Sequence, residues 1–158
     1  MTHSTLITRI VCPGCGAINR VAKDRSPLAA KCGACHQALF NRRPIEVDEA
    51  GVELHFRAND IPVLLDVWAP WCGPCRTMGP QFERAASSLE PEVRLIKLNA
   101  DEAPNASARL GVRGIPAMFL IHRGAVVAQT AGAMSADAIV RWTRNNLPTH
   151  PPSDGDQP

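Results

Sequence analysis

Val63-Leu64-Leu65-Asp66-Val67-Trp68-Ala69-Pro70-Trp71-Cys72-Gly73-Pro74-Cys75 is the stretch on which the fold turns. Its first six residues are apolar except for Asp66, the pattern of a strand covered on both faces. Pro74 then suits the first turn of a helix. A helix that begins at Cys72 aims its free N–H groups and the positive end of its dipole at that sulfur. This favours the thiolate, the reacting form of cysteine. Two thiols two residues apart at a strand-to-helix junction form a dithiol that can close and reopen. On spacing alone, the pair could equally be half of a metal site.

Outward from this stretch, residues 45–147 alternate strand and helix. Strands are expected at Ile45–Val47, Val63–Trp68, Val93–Asn99, Ala117–Ile121 and Val126–Ala131. Helices are expected at Glu49–Ala58, Gly73–Leu89, Ala106–Leu110 and Ser135–Asn145. In the long helix Met78, Phe82, Ala85, Ala86 and Leu89 share one face, and Pro80 inside it predicts a kink. The last helix is apolar at Ala138, Ile139 and Trp142. The fold class is therefore α/β, and the tail, residues 148–158, reads as disordered from its Pro and Asp content.

Residues 1–43 form a different unit. They hold seven Lys/Arg against the single acid Asp24, whereas residues 44–158 carry an excess of acids. That reversal places a boundary near residue 43. Leu6–Val11 and Ala17–Val21 read as two strands, and Gln37–Phe40 as a short return after a second turn. Cys12, Cys15, Cys32 and Cys35 form two Cys-x-x-Cys turns whose spacing falls in the range of four-cysteine zinc sites. Each turn can point two sulfurs at one tetrahedral ion. About 40 residues bury too little apolar surface to fold without a metal or a cross-link. One structural Zn2+ is expected, and His36 is an alternative ligand. Two structural bridges would need an oxidising compartment.

The chain has no apolar run long enough to cross a membrane, and its N-terminus lacks the charged and apolar regions of a secretory signal. No membrane association and a cytoplasmic setting are expected. The basic face of the N-terminal unit could be solvated, dock the acidic second unit or meet a partner. It has no aromatic residue before Phe40, so it lacks a platform for base stacking, and no nucleic-acid partner is expected.

Taken with Lys97-Leu98-Asn99-Ala100-Asp101, Gly111-Val112-Arg113-Gly114-Ile115-Pro116 and Ala131-Gly132-Ala133, the opening stretch resembles the thioredoxin family over residues 45–147. With the four-cysteine unit in front, the whole chain is similar to the bacterial thioredoxin 2 branch of that family. The resemblance implies a thioredoxin fold, a mixed five-stranded sheet flanked by helices, with a small zinc-ribbon-like β module at the N-terminus. Pro70 stands where an acidic residue is common in the family, and Val67 where an aromatic is common.

The resemblance also implies roles. Cys72 is the nucleophile that forms a mixed disulfide with substrate. Cys75 is the resolving thiol, more buried than Cys72. Asp66 accepts the proton of Cys75 through a water; read from the residues alone, it is first a hydrogen-bonded structural group. Lys97 is its countercharge or a solvated lysine. Ile115-Pro116 is a cis-proline candidate set against the dithiol, with Pro116 excluding a competing donor. Trp71, Gly73, Pro74, Gly114, Ile115 and Gly132 line the surface that meets substrate. Trp68 reads as core packing.

The function these features imply is protein-disulfide reduction. The partners are disulfide-containing proteins and an NADPH-dependent thioredoxin reductase. No Gly-x-Gly-x-x-Gly fingerprint occurs, so nicotinamide chemistry must lie on that partner, and no organic cofactor is expected. The competing reading is a binding protein in which the zinc module meets nucleic acid or protein and the second unit is a scaffold. Gly-Pro between the cysteines argues against an oxidase or isomerase.

Overall fold

The computed structural model describes residues 6–148; the tail expected as disordered lies, from residue 149 on, outside them. The elements run β1 Ile7–Val11, β2 Ile18–Ala22, β3 Ile45–Val47, α1 Glu49–Ala58, β4 Val63–Trp68, α2 Gly73–Leu89, β5 Arg94–Asn99, α3 Pro104–Leu110, β6 Ala117–His122, β7 Ala125–Ala131 and α4 Ala136–Asn146. Strands β3 to β7 form a mixed five-stranded sheet in the order β3-β5-β4-β6-β7. The pairs β3/β5 and β4/β5 are parallel; β4/β6 and β6/β7 are antiparallel.

Because side chains alternate across a strand, β4 serves two cores. Val63, Leu65 and Val67 face a cluster with Val52 of α1 and Ala106 of α3. Leu64 faces the opposite cluster with Met78, Phe82, Ala85, Ala86 and Leu89 of α2 and Ile139 of α4. Asp66 shares the parity of Leu64, so it lies on the face that α2 covers. Full burial of each large side chain here contributes about 1.5–3 kcal/mol.

Helix α2 continues through Pro80 as one element. Pro80, where a kink is expected, is exposed, so the Arg76 carbonyl that loses its N–H partner lies on the solvent side. On α4 the buried residues are Ile139 and Thr143, while Ala138 and Trp142 are half-buried. The inward face thus follows the i, i+4 ridge of Ile139 rather than the apolar residue before it.

Ahead of the sheet, β1 and β2 make an antiparallel hairpin, with Ile10, Val21, Leu39 and Phe40 in a small core. The return expected at Gln37–Phe40 is reduced to one bridge, Lys31 to Ala38. The hairpin docks on the larger unit. Arg9 and Asp60 form an ion pair at 3.0 Å, and the Asp60 N–H donates to the Arg9 carbonyl at 2.9 Å.

Candidate functional site

Two cysteine constellations sit at different ends of the molecule. The first is the Cys72–Cys75 pair, joined as a disulfide. Cys72 is the N-cap of α2: its backbone is extended, and its sulfur accepts the N–H of Cys75 at 3.2 Å. The helix terminus that favours thiolate therefore acts on this sulfur directly. Both cysteines are buried, Cys72 5% and Cys75 4% exposed. Ala69, Trp68 and Ile115 pack around both.

The loop before β6 completes the cover. The Ile115–Pro116 peptide is cis, and the Ile115 carbonyl oxygen lies 3.8 Å from the Cys72 sulfur. Pro116 is buried, and its carbonyl accepts the N–H of Gly132 at 2.8 Å. Gly132 has φ +105°, which only glycine adopts without strain. At Gly114, by contrast, an added Cβ would meet nothing within 4 Å. The chain's own packing does not demand that glycine.

Trp71 is 68% exposed beside the pair, and its indole N–H donates to both carboxylate oxygens of Asp101 at 3.1 Å. Pro74 is exposed and Gly73 half-buried. Arg76 folds back to donate to the Pro70 carbonyl at 2.8 Å.

Sheet register builds the electrostatics beneath. Glu46 pairs with Lys97 across β3/β5, and Lys97 with Asp66 across β5/β4. Three charged side chains thus stand in one row on one face of the sheet. The Lys97 ammonium is 3.7 Å from Glu46 and 5.0 Å from the centroid of the Trp68 ring. The Trp68 indole N–H also reaches Glu46, at 3.4 Å, so Trp68 does more than fill space. Asp66 is almost fully buried, and its Oδ1 has no hydrogen-bond partner. Burial pushes this carboxyl up to about 7 from an ordinary 3.8; Lys97 opposes the rise, and Glu46 adds to it.

Glu46, Asp101 and Arg76 had no role in the sequence reading. Glu46 carried a faint signal, as the one charge in a three-residue apolar strand. The other two act through tertiary contacts that local pattern does not encode.

The second constellation is Cys12, Cys15, Cys32 and Cys35, whose sulfurs all lie within 4.8 Å of one another. Cys12 and Cys35 are 3.6 Å apart, as are Cys15 and Cys32. A disulfide needs about 2.05 Å. A tetrahedral ion with metal–sulfur bonds of about 2.3 Å separates its ligands by roughly 3.8 Å. The set fits a metal and does not fit two bridges. Backbone N–H groups of Gly14 and Ala34 point at the Cys12 and Cys32 sulfurs, each at 3.3 Å. The Cys32 thiol is pulled down to about 5, first by the Cys35 N–H, then by Asn19 and the Ala34 N–H. His36 is exposed and lies outside the cluster.

Comparison with known proteins accords with this geometry. A family model described as Thioredoxin matches residues 45–145, and one described as Thioredoxin 2, N-terminal, matches residues 11–37. The chain is 38% identical to thioredoxin C-3 of Corynebacterium nephridii over 138 residues, 87% of this chain and 94% of the relative. It is 35% identical to a thioredoxin of Haemophilus influenzae over 103 residues, 65% of this chain and 96% of the relative. A solved structure of a mutant thioredoxin from Halobacterium salinarum NRC-1 superposes with a TM-score of 0.61 at 28% identity, covering 70% of this chain and 96% of that one.

Proposed function

The chain belongs to the thioredoxin family of thiol-disulfide oxidoreductases, and from that premise we propose that it reduces protein disulfides through Cys72 and Cys75 and is re-reduced by an NADPH-dependent thioredoxin reductase. The observation that carries this reading is the Cys72 sulfur at the N-cap of α2, held by the Cys75 N–H at 3.2 Å. In the reduced protein the same N–H and the helix terminus stabilise a Cys72 thiolate.

The thiolate attacks one sulfur of a substrate disulfide. A new Cys72–substrate bond forms, the substrate S–S bond breaks, and the departing sulfur takes the electron pair. Cys75 gives up its proton to Asp66 and attacks the Cys72 sulfur. The mixed disulfide breaks, Cys72–Cys75 closes, and the two substrate sulfurs leave as thiolates, one taking the proton held by Asp66 and the other a proton from water. Two electrons move from protein to substrate. Asp66 suits its part because an acid pushed up to about 7 can take a proton at neutral pH and release it again. Burial raises Asp66, and Lys97 limits the rise.

Ile115 offers its backbone to an extended substrate segment, and Pro116 keeps a competing donor away. Trp71, Gly73, Pro74 and Gly132 rim the same surface. The open space at Gly114 leaves room for a partner backbone.

Cys12, Cys15, Cys32 and Cys35 are proposed to hold one structural Zn2+, which would cross-link the two Cys turns. A reducing compartment such as the cytoplasm keeps those four thiols available and the dithiol working. Among the described residues no helix is long and apolar enough to cross a membrane.

The test is Cys75→Ser. This variant should form a stable mixed disulfide through Cys72 with an insulin-type substrate and fail to turn over. Full turnover by Cys75→Ser would refute the assignment of roles.

A further inference from the structure

Arg94 opens β5, and both it and Glu90 are fully buried. Its Nη2 is spent on the N-terminal unit, while Nε has no hydrogen-bond partner among the described residues. Nη2 donates to the Val11 carbonyl at 3.2 Å and to the Leu39 carbonyl at 2.7 Å. Nη1 faces Glu90 at 3.4 Å, and the charge lies 4.2 Å from the centroid of the Phe40 ring. Glu90 in turn accepts the Arg42 N–H at 2.9 Å. From the other side, the Asn59 side chain accepts the Val11 N–H at 2.8 Å, and Asn59 is itself held by His55 at 2.8 Å.

The two carbonyls are not equivalent positions. Val11 precedes Cys12, in the first Cys turn. Leu39 follows the second turn, beyond Cys35. These are the two chain segments that a metal would join through Cys12/Cys35 and Cys15/Cys32. The second unit thus reaches up and ties the same two segments with one planar fork, a geometry suited to several fixed acceptors at once. An apolar side chain of like volume would avoid burying a charge but would leave the Val11 and Leu39 carbonyls without this donor. It would not set the separation of the two turns.

We propose that Arg94 is a positioning residue for the metal centre, holding both Cys turns in register so that the redox unit sets the affinity of the N-terminal unit for its metal. This rests on the metal reading given above. Coupling of this kind is reciprocal: the metal brings the turns to the register in which Arg94 is satisfied, and Arg94 holds the register in which the metal fits. Loss of a group that orients metal ligands typically weakens metal affinity by about 10–100-fold.

The experiment is zinc titration of the full chain against a chromogenic chelator, with insulin reduction measured on the same samples. Arg94→Met/Glu90→Gln removes the fork without stranding a buried carboxylate. It should bind zinc about 10–100-fold more weakly than the native chain while still reducing insulin. Arg94→Lys, which keeps a cation and two usable donors, should recover part of the loss. Equal affinity of the native chain and the double variant overturns the proposal. A native chain that takes up no zinc sinks the metal reading, and this proposal with it. Should the double variant not fold, hydrogen exchange on the native chain decides. Stripping zinc must speed exchange at the Val11 and Arg42 amides, and unchanged protection there overturns the proposal.

Discussion

Replacing Asp66 by Asn should make the protein more stable at neutral pH, by an amount that depends on pH in a defined way. The folded-state carboxyl is raised to about 7, chiefly by burial, against an ordinary value of 3.8. Below 3.8 the acid is neutral in both folded and unfolded chains, and burial costs it nothing extra. Between 3.8 and about 7 the unfolded chain has lost its proton while the folded one keeps it. The unfolded state then binds fewer protons, so stability falls as pH rises. Above about 7 the loss is complete. At about 1.36 kcal/mol per pH unit, the whole window is worth about 4 kcal/mol. Asn keeps the shape and cannot ionise. The difference in unfolding free energy, variant minus native, should therefore rise by about 4 kcal/mol from pH 4 to pH 7.5 and then level off. Urea unfolding of both proteins in the oxidised form, at half-unit steps of pH, measures it. Taking the difference cancels every other titrating group. A constant offset between the amide and the acid is allowed. A difference that does not change with pH would refute the reasoning.

His55 should show the opposite slope. Burial, aided by the charge of Arg94, lowers it to about 4 from 6.5, so it stays neutral in the fold while the unfolded chain takes a proton. Its contribution is complete above 6.5 and is lost as pH falls toward 4, about 3 kcal/mol in all, and His55→Gln should abolish that component in the same urea series. Asp66→Asn should also leave the first exchange step intact and slow the second. Rapid mixing with a disulfide substrate should then reveal a Cys72 mixed disulfide that resolves about 10²-fold more slowly than in the native chain. Resolution at the native rate would remove Asp66 from the reaction.

Much of the framework was legible because local pattern and tertiary burial agree. The run Val63–Val67, apolar except for Asp66, became the strand buried on both faces. Met78, Phe82, Ala85, Ala86 and Leu89 recur at helical spacing and became the inward face of α2. The Cys-x-x-Cys spacing gave the four-sulfur cluster, since each turn closes within a few residues. What escaped was set by register between distant strands. Nothing near Glu46 in the sequence says that β3 will lie beside β5 and place it in line with Lys97 and Asp66. Arg94 reads as the charged start of a strand, because its acceptors Val11 and Leu39 are 83 and 55 residues away. On α4 the polar Thr143 is buried while the apolar Ala138 is only half-buried, an order hydropathy alone does not predict.

Asp66 and Arg94 look alike in a burial profile, and their partners separate them. Arg94 pairs in register with Val63 of β4, and Lys97, beside Asp66, lies three residues further along β5, roughly 10 Å at strand spacing. One end of this strand pair thus carries the N-terminal unit and the other supports the dithiol. At the first end, Val11, Leu39, Glu90 and Phe40 surround the charge, and although its Nε has no partner, removing Arg94 takes a donor from two carbonyls and from one oxygen of the Glu90 carboxylate, which keeps the Arg42 N–H. At the second end, Asp66 Oδ1 has no partner at all, so removing the charge relieves a penalty. Substitution should therefore change stability with opposite signs at the two sites: loss for Arg94→Met, gain for Asp66→Asn above neutral pH. A buried carboxyl raised to about 7 suits the proton-transfer role proposed for Asp66.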